Sequence, residues 1–411
     1  MKNKISELPK IINYIGNELF VDNLSCRKIA NQFGTPIYCY SLSQIEKNYI
    51  ELKESFKNLK PLICYAVKAN FNKNIIKLLA RKGAGADVVS FGELEHCLKN
   101  GMDSKKIVFS GVGKTNEELE FAINKDIKQI NIESEEELED IIQICKKNKL
   151  KKRVKISIRV NPDVDAETHE KISTGRSEDK FGISINRISN IFKKHKRNKE
   201  IELVGISIHI GSQIQKIEPF KEAFVKIRNE IISLIASGHK ISTVDLGGGI
   251  GINYGENKIF QIQKYSSLIE KLFLDLKVQV ILEPGRFLVG SAGIIITKII
   301  RIKKGEKKNF LIIDCGMNNL IRPSLYNSIH KIIPVKKSIK FGFDKFDVVG
   351  PICETSDIFV KNFKISEKIK KNDLLIICTT GAYGSCMSSN YNLRGEAKEV
   401  FVKKNKVVTN I

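Results

Sequence analysis

The chain alternates strand-like and helix-like segments, and this alternation restricts the folds it can adopt. Short runs rich in Val and Ile fall near residues 61–67, 85–89, 106–110, 128–132, 153–160, 201–209, 241–246 and 277–283. Between them lie helical patterns such as TNEELEFAINK and SEEELEDIIQICKKN, which open on Thr or Ser with Glu three residues later. Eight such units predict an α/β fold with a closed (β/α)8 barrel of the TIM type, and an open doubly wound sheet is the alternative.

The pattern changes after Glu283. The segments that follow are β-rich and separated by turns, with no long helical pattern: GIIITKIIRI, NFLIIDCG, FDVVGPIC, DIFVKNF, DLLIICTTGAYG and EVFVKKNKVV. We therefore predict a C-terminal all-β domain of the sandwich or barrel kind after the barrel. The length of 411 residues and the 42% hydrophobic content suit two globular domains.

The formal net charge of +23 raises the question of nucleic-acid binding. However, the lysines are spread along the whole chain, and no aromatic residues are interleaved with the basic runs to stack on bases. We expect no specific nucleic-acid partner, although weak adhesion to polyanions at low salt fits the charge.

Hydropathy and cysteine spacing point to a cytoplasmic location. The N-terminus has no apolar run of signal-peptide length, and nowhere do 18 apolar residues follow one another. The nine cysteines form neither a CxxC pair nor a metal-ligand spacing, so we expect reduced thiols and no metal. We predict a cytoplasmic protein with no membrane partner.

The stretch PLICYAVKAN (61–70) has the composition of a buried strand that ends at one lysine, Lys68. Lys68 either marks where the strand surfaces, or is an amine of lowered pKa that forms a Schiff base with an aldehyde. The ends of other strands favour the second interpretation, because barrel enzymes place their active sites there. Asp87 lies in strand two, His209 ends strand six, and GGG (247–249) follows strand seven, where its bare backbone could hold a phosphate.

Six motifs in order extend this pattern: YAVKAN, HIGSQI, DLGGGIGINY, EPGRFLVG, GPICETSD and GAYGSCMSSNYN. Over residues 36–400 the chain resembles the diaminopimelate decarboxylases, members of the alanine-racemase-like (fold type III) pyridoxal-phosphate enzymes. The resemblance implies a barrel at 36–285 and a β domain formed by 1–35 and 286–411. It implies pyridoxal 5′-phosphate as cofactor, and decarboxylation of meso-2,6-diaminopimelate to L-lysine and CO2, the last step of lysine biosynthesis.

Carried over by position, the resemblance also implies the site residues. The cofactor residues would be Lys68, Asp87, His209, Ser212, Gly247, Gly248, Gly249, Glu283, Pro284, Gly285, Arg286 and Tyr383. The substrate residues would be Arg286, Arg322, Tyr326, Glu354 and Tyr383. Lys68 would form the Schiff base, His209 would stack on the ring, and Glu283 would face the pyridine nitrogen.

The proton donor of this family matches Cys353. A lone cysteine is more often a small buried hydrophobe, and only its place in the family motif reverses that interpretation. In the family the Cys-Glu pair reaches the neighbouring subunit's site, so the resemblance implies a homodimer with shared active sites.

Substrate choice would rest on the distal end of the pocket. A second carboxylate calls for a fixed cation, and RPSLYNSIH (322–330) offers Arg322 one helical turn from Tyr326. The segment THEKISTGRSEDKFGI (168–183) resembles the family's substrate-covering loop, and a solvated charged loop is its other interpretation.

Four alternatives stay open. A decarboxylase of a basic amino acid or of carboxynorspermidine would not need the distal carboxylate. An alanine racemase would not need the Cys-Glu and Arg-Pro-x-Leu-Tyr segments, and a short pyridoxal-phosphate-binding protein would end near residue 290. A noncatalytic polyanion-binding protein would bind no cofactor. The chain departs from the family pattern at Ser356, where Gly is more usual, and at Gly395, where Pro is common.

Overall fold

The computed structural model describes residues 8–166, 174–175, 178–255, 259–337 and 342–409. The chain forms two compact units. The barrel unit comprises Tyr49–Gly251 and Phe260–Gly285, and the β unit comprises Met1–Asn48, Ile252–Ile259 and Arg286–Ile411.

In chain order, the strands are β1 (Ile12–Ile15), β2 (Glu18–Val21), β3 (Leu24–Ser25), β4 (Ile37–Ser41), β5 (Leu62–Ala66), β6 (Gly85–Val88), β7 (Ile107–Phe109), β8 (Gln129–Ile132), β9 (Val154–Asn161), β10 (Ile183–Ser184), β11 (Ile201–Ser207), β12 (Thr243–Asp245), β13 (Gln279–Leu282), β14 (Gly293–Lys304), β15 (Asn309–Ile313), β16 (Ile332–Pro334), β17 (Phe343–Val349), β18 (Ile358–Ser366), β19 (Leu374–Cys378), β20 (Lys398–Lys403) and β21 (Lys406–Val408). The helices are α1 (Cys26–Phe33), α2 (Leu42–Glu54), α3 (Lys73–Arg81), α4 (Phe91–Lys99), α5 (Asn116–Asn124), α6 (Glu135–Lys147), α7 (Ile185–Lys194), α8 (Glu218–Ala236), α9 (Ile262–Phe273), α10 (Arg286–Val289) and α11 (Arg322–Tyr326).

The barrel unit contains a closed ring of eight parallel strands. Their order is β9-β11-β12-β13-β5-β6-β7-β8, and β8 pairs with β9 to complete the ring, while the short β10 adds to β9. The predicted (β/α)8 barrel is confirmed, and the open sheet is excluded. Because all eight strands run parallel, the residues that follow them lie at one end of the ring.

Local sequence signals fix where the barrel helices begin. Helix α5 opens with a capping box, in which the Thr115 side chain accepts from the Glu118 amide and the Glu118 side chain accepts from the Thr115 amide. Ser134 caps α6 with its side chain, which accepts a hydrogen bond from the Glu137 amide. Two helix starts predicted from the sequence are therefore present in the structure.

Aromatic side chains pack between α8 and α9. The Phe220 and Tyr265 rings meet edge to face with centroids 5.0 Å apart, and Phe224 and Phe273 do so at 6.3 Å. All four side chains are fully buried. Such pairs contribute about 0.5–1.5 kcal/mol each beyond the burial of their area.

The β unit is built on a sheet of order β18-β17-β15-β14-β4-β20-β21, with β19 also on β14 and β16 on β19. A separate small sheet, β1-β2-β3, leads into α1. Leu19 of β2 and Ile29 of α1 belong to the same apolar cluster as Ile294 and Val402 of the large sheet. The N-terminal residues therefore share the core of the β unit.

The compact units differ from the predicted domain boundaries in two places. Residues 36–48 belong to the β unit because β4 pairs antiparallel with β14 and parallel with β20, an arrangement that only the tertiary structure reveals. Residues 252–259, predicted as part of the barrel, also group with the β unit. Within the described ranges, no helix has the length and apolar character needed to cross a membrane.

Candidate active site

Lys68 lies at the end of the barrel that carries the strand C-termini. It occupies a 3-10 turn, Val67–Ala69, directly after β5. Its Nζ donates a hydrogen bond of 2.6 Å to Oδ2 of Asp87, a fully buried residue of β6. The other oxygen of that carboxylate, Oδ1, is buried and has no hydrogen-bond partner among the described residues. The amine is thus held by an anion that retains acceptor capacity for a further group.

Glu283 follows β13 and is only 8% exposed. Burial raises the pKa of its carboxyl well above the usual value, and the nearby Asp245 and Asp87 carboxyls raise it further. Ser110 Oγ lies 3.4 Å and Asn131 Nδ2 lies 3.5 Å from Glu283 Oε1. A buried carboxyl with weak donors on one oxygen is suited to receive a cationic N–H from a ligand.

The three glycines after β12 pack against neighbouring backbone. A Cβ on Gly247 would lie 2.3 Å from the Ile208 carbonyl oxygen, one on Gly248 2.3 Å from that of Glu283, and one on Gly249 2.4 Å from that of Gly211. Gly247 and Gly249 also have positive φ, +66° and +96°. The turn therefore needs glycine at all three positions, which brings bare backbone to the strand ends.

The amides of this turn are partly engaged. The Gly247 N–H donates to Asp245 Oδ1 at 3.0 Å, and the Gly248 N–H donates to His209 Nδ1 at 3.2 Å. Nδ1 of His209 therefore bears no proton. Burial, with the charges of Arg159 and Lys68, lowers the pKa of His209 well below its usual value. The imidazole is therefore neutral and offers a flat ring face to a cofactor.

The EPGR turn closes on the turn that carries Lys68. The Ala66 amide donates to the Pro284 carbonyl oxygen at 3.3 Å. A Cβ on Gly285 would lie 2.9 Å from the Ala69 Cβ. The chain before Arg286 is therefore fixed against the first barrel strand, and any larger residue at 285 would displace it.

In the β unit, Arg286 begins α10 and is 5% exposed. Its Nη1 donates a hydrogen bond of 2.6 Å to the Tyr254 hydroxyl. The guanidinium carbon lies 4.7 Å from the ring centroid of Tyr383, whose φ is +54°. A buried guanidinium stacked on one tyrosine and bonded to another is held in one orientation.

A second guanidinium, that of Arg322 on α11, shares Tyr254 with the first. Its carbon lies 5.2 Å from the centroid of Tyr254 and 5.7 Å from that of Tyr326. Nε donates to Nε2 of the buried His330 at 3.4 Å, and His330 Nδ1 lies 2.9 Å from the Cys378 carbonyl oxygen. Because Nδ1 must donate to that carbonyl, Nε2 is the acceptor for Arg322.

Burial and the nearby Arg286 charge lower the pKa of the Arg322 guanidinium, and burial with the Arg322 charge lowers the pKa of His330 to about 3. The β unit therefore holds two cations close together and a neutral histidine beside them. Two cations that repel each other in a buried place favour a ligand carrying two negative charges.

Comparison with known proteins agrees with this chemistry. Residues 42–290 match the family model described as "Pyridoxal-dependent decarboxylase, pyridoxal binding domain". The diaminopimelate decarboxylase of Aquifex aeolicus is 42% identical over 404 residues, which cover 98% of this chain and 95% of that protein. The chain belongs to the diaminopimelate decarboxylase family.

Solved structures of the family agree with the fold. The Helicobacter pylori diaminopimelate decarboxylase complexed with L-lysine superposes with a TM-score of 0.89 at 40% identity, covering 93% of this chain and 95% of that one. The M. jannaschii enzyme in co-complex with L-lysine gives a TM-score of 0.91 at 35% identity, covering 97% and 94%.

The barrel residues fit the pyridoxal phosphate that the family uses. Lys68 supplies the amine, Glu283 a buried carboxyl for a ring N–H, and the neutral His209 a flat ring. The uncompensated Asp87 Oδ1 and the glycine turn leave an acceptor and bare backbone at the same strand ends. Ser212 lies in a bend after His209, and its role at the phosphate stays a prediction.

Cys353 and Glu354 lie in an irregular segment of the β unit and are exposed. The Cys353 amide donates to Asn392 Oδ1 at 3.3 Å, and the Tyr391 hydroxyl donates to Glu354 Oε1 at 2.7 Å. All nine cysteines lie in described residues as free thiols, and Cys353 is the exposed one. An exposed thiol is accessible to a second chain, whereas the buried ones are not.

The loop predicted at 168–183 is described only at Thr174, Gly175 and 178–183. Thr174 Oγ1 donates to the His209 carbonyl oxygen at 2.7 Å, so the described part contacts the histidine. The rest of that prediction, residues 168–173 and 176–177, lies outside the described residues.

Sequence reasoning does not single out three residues that support the site. Tyr254 follows the glycine motif, His330 ends the RPSLYNSIH segment, and Asp245 opens DLGGGIG. Each stands inside a family motif, and that position is the available signal. Tyr254 bonds to Arg286, 32 residues away, His330 to Arg322, 8 residues away, and Asp245 to Asn131, 114 residues away. No local sequence pattern identifies such pairs.

The two departures from the family pattern have different structural meaning. Ser356 is exposed and donates weakly to the Met317 sulfur at 3.7 Å. Gly395 has φ +74° and its N–H donates to Asn390 Oδ1 at 2.9 Å. Proline can supply neither that φ nor an N–H, so this loop has a backbone that the usual proline excludes.

Proposed function

We propose that this protein decarboxylates meso-2,6-diaminopimelate to L-lysine and CO2 with pyridoxal 5′-phosphate. Membership of the family supports the reaction class. The observation that carries the substrate assignment is the pair of buried guanidiniums, Arg286 and Arg322, that flank Tyr254. A single α-carboxylate needs one such cation, whereas diaminopimelate presents two carboxylates.

Each residue has a role that follows from its chemistry. Bound pyridoxal phosphate supplies an electron sink for the pair left when the α-carboxylate departs as CO2. Lys68 would hold the cofactor through its amine, and Asp87, 2.6 Å from that nitrogen, would keep the amine in place as an ammonium when it is free. Glu283 would accept from a ring N–H of the cofactor, and His209 would lie against its ring.

The substrate would be oriented by the β-unit residues. Arg322, fixed by His330 and stacked on Tyr326, binds the distal carboxylate, and Arg286 with Tyr383 holds the reacting end. Glu354 would accept a hydrogen bond from the distal ammonium. Its carboxylate is exposed in the single chain, so this contact needs a second surface that covers it. Orientation of this kind lowers the barrier by restricting the substrate to one reactive geometry.

Cys353 is proposed as the group that returns a proton to the carbon that loses CO2. Its exposure supports a homodimer in which the Cys353 segment of one chain completes the site of the other. The free thiols also support a cytoplasmic location, where cysteines stay reduced.

Release of CO2 tests the function. The holoenzyme is incubated with meso-diaminopimelate and, in parallel, with L-lysine, L-ornithine and L-arginine. Release from diaminopimelate alone is expected. Release only from the singly carboxylated amino acids would show a basic amino-acid decarboxylase instead, and no release from any of the four would overturn the decarboxylase proposal.

Mixing two inactive variants tests the dimer. In Lys68→Ala and Cys353→Ala chains combined in equal amounts, half of the dimers are mixed and each has one intact site. Activity of about one quarter of the wild-type value is then expected after subunit exchange. Continued inactivity, with exchange demonstrated by mass, would place Lys68 and Cys353 of one chain in the same site.

A further inference from the structure

A line of buried polar side chains crosses the barrel interior beside Glu283, and none of the proposed roles uses it. Thr243 Oγ1 of β12 donates to Gln129 Oε1 at 3.0 Å, and Gln129 Nε2 donates to Asn131 Oδ1 at 2.8 Å. Asn131 Nδ2 then donates to Asp245 Oδ2 at 3.0 Å. Because each amide is oriented by the one before it, the nitrogen end of Asn131 is directed at the carboxyl group of Asp245.

Asn131 lies beside both carboxyl groups. Its Nδ2 donates to Asp245 Oδ2 at 3.0 Å and to Ser110 Oγ at 3.1 Å, and it lies 3.5 Å from Glu283 Oε1. Ser110 Oγ in turn lies 3.4 Å from Glu283 Oε1. Asp245 is fully buried and accepts at its other oxygen from the Gly247 N–H at 3.0 Å. Two carboxyl groups that lie beside one amide in a buried interior do not both ionise, since like charges repel strongly away from solvent.

The titratable groups that surround the pair come from several elements. Asp87 on β6 adds negative charge, while Lys68 after β5 is engaged with Asp87. The buried Cys64 on β5 and Tyr265 on α9 have raised pKa values, because burial disfavours their anions, and both are neutral. Burial also raises the pKa values of Asp245 and Glu283. Two buried carboxyl groups beside one amide therefore favour keeping a single proton between them.

We propose that Asp245 is a positioning residue that takes up this proton in the holoenzyme, so that Glu283 remains anionic towards the cofactor's ring nitrogen. Without a cation opposite Glu283, the Gly247 and Asn131 donors favour the Asp245 anion, and the proton stays on Glu283. A protonated ring nitrogen opposite Glu283 reverses this preference, because it stabilises the Glu283 anion.

The transfer needs no outside reactant. The O–H bond at a Glu283 oxygen breaks and one forms at an Asp245 oxygen, and the new O–H then donates back to the Glu283 carboxylate. The hydrogen-bonded chain Thr243-Gln129-Asn131 holds the Asn131 amide beside the two carboxyl groups, so that their oxygens keep a fixed position for the transfer.

This inference rests on the proposed function only through the cofactor, so its two deciding measurements need no turnover. Infrared difference spectra of the holoenzyme at neutral pH are recorded for the wild type and Asp245→Asn. The wild type should show the carbonyl stretch of a protonated carboxyl that Asp245→Asn lacks. Asp126→Asn is the matched control, because the Lys105 and Lys152 ammonium groups lower the pKa of Asp126, and it should lose no such band.

The 15N chemical shift of ring-labelled pyridoxal phosphate, measured without substrate, tests the consequence for Glu283. Wild type and Asp245→Asn should both show a protonated ring nitrogen, because the amide is neutral and can donate to Glu283. Asp245→Ala should shift the signal towards the unprotonated ring. In turnover, Asp245→Ala should lower kcat about tenfold with KM nearly unchanged, and Asp245→Asn should recover most of the loss.

Two results would overturn the proposal. One is an identical carboxyl spectrum for the wild type and Asp245→Asn, which would show that Asp245 is ionised. The other is an unprotonated ring nitrogen in Asp245→Asn, which would show that a neutral donor does not suffice. If Asp245→Ala fails to fold, the isosteric Asn variant still decides both points. If both spectra are as expected but diaminopimelate releases no CO2, the proposed substrate is refuted and the role of Asp245 stands.

Discussion

Tyr254→Phe removes the hydroxyl that holds the Arg286 guanidinium and keeps the ring that faces Arg322. The hydroxyl accepts from Arg286 Nη1 at 2.6 Å, and the ring that remains still faces Arg322 at 5.2 Å. A hydrogen bond from a charged group contributes about 1.5–3 kcal/mol, and the partial exposure of Tyr254 favours the lower end. Since about 1.4 kcal/mol is a factor of ten, KM for diaminopimelate should rise about tenfold.

The kcat of Tyr254→Phe should change far less, because Lys68, His209 and Glu283, to which the chemistry of the cofactor is assigned, belong to the barrel unit. Steady-state CO2 release gives both constants, and absorbance of the bound cofactor checks that the holoenzyme is intact. Tyr254→Leu is the matched variant, since it also removes the ring over which Arg322 stacks. Its KM should exceed that of Tyr254→Phe by a further factor of about 2–5, as a cation-π contact of about 0.5–1 kcal/mol requires.

The two variants separate the hydroxyl from the ring. An unchanged KM in Tyr254→Phe with a raised KM in Tyr254→Leu would refute the role of the hydroxyl and leave that of the ring. Wild-type KM values in both would show that the Arg286–Tyr254–Arg322 group does not bind the substrate carboxylates.

Four further predictions concern single residues. Lys68→Ala should abolish the absorbance of covalently bound cofactor after dialysis, and a wild-type spectrum would contradict its role. Cys353→Ala should retain that absorbance and lose about 100-fold or more in kcat, and undiminished turnover would remove it as proton donor. Gly248→Ala should lower the free energy of unfolding by about 1–3 kcal/mol in urea titrations, because its Cβ would lie 2.3 Å from the Glu283 carbonyl oxygen, and unchanged stability would contradict that packing. Burial lowers the pKa of His330 to about 3, so between pH 6.5 and 3 the unfolded chain binds a proton that the folded chain does not. The free energy of unfolding should therefore decrease as the pH is lowered, by up to about 1.4 kcal/mol per pH unit. His330→Gln should reduce this slope in urea titrations from pH 5 to 7, and an equal slope would refute the argument.

The positions of the site residues along the barrel could be predicted because strand ends are local features. Lys68 follows an apolar run and Glu283 ends another, and parallel strands bring such ends together. The hydrogen-bond partners of these residues could not be predicted. Asn131 reaches Asp245 across 114 residues, and whether an amide meets a carboxyl or solvent depends on the register of β8, β7 and their neighbours.

The sequence by itself determined the alternation that makes a barrel, the helix caps, and the motifs that reveal the family, because these depend on the period of apolar residues and on groups within one turn of each other. The tertiary structure alone decided that β4 joins β14 and β20, that Tyr254 lies between two arginines, and that Asp245 and Glu283 compete for a proton. The physical reason is the same in each case. Strand pairing, stacking and shared protons arise from groups far apart in the chain, and the free energy of each depends on the burial that only the folded molecule creates.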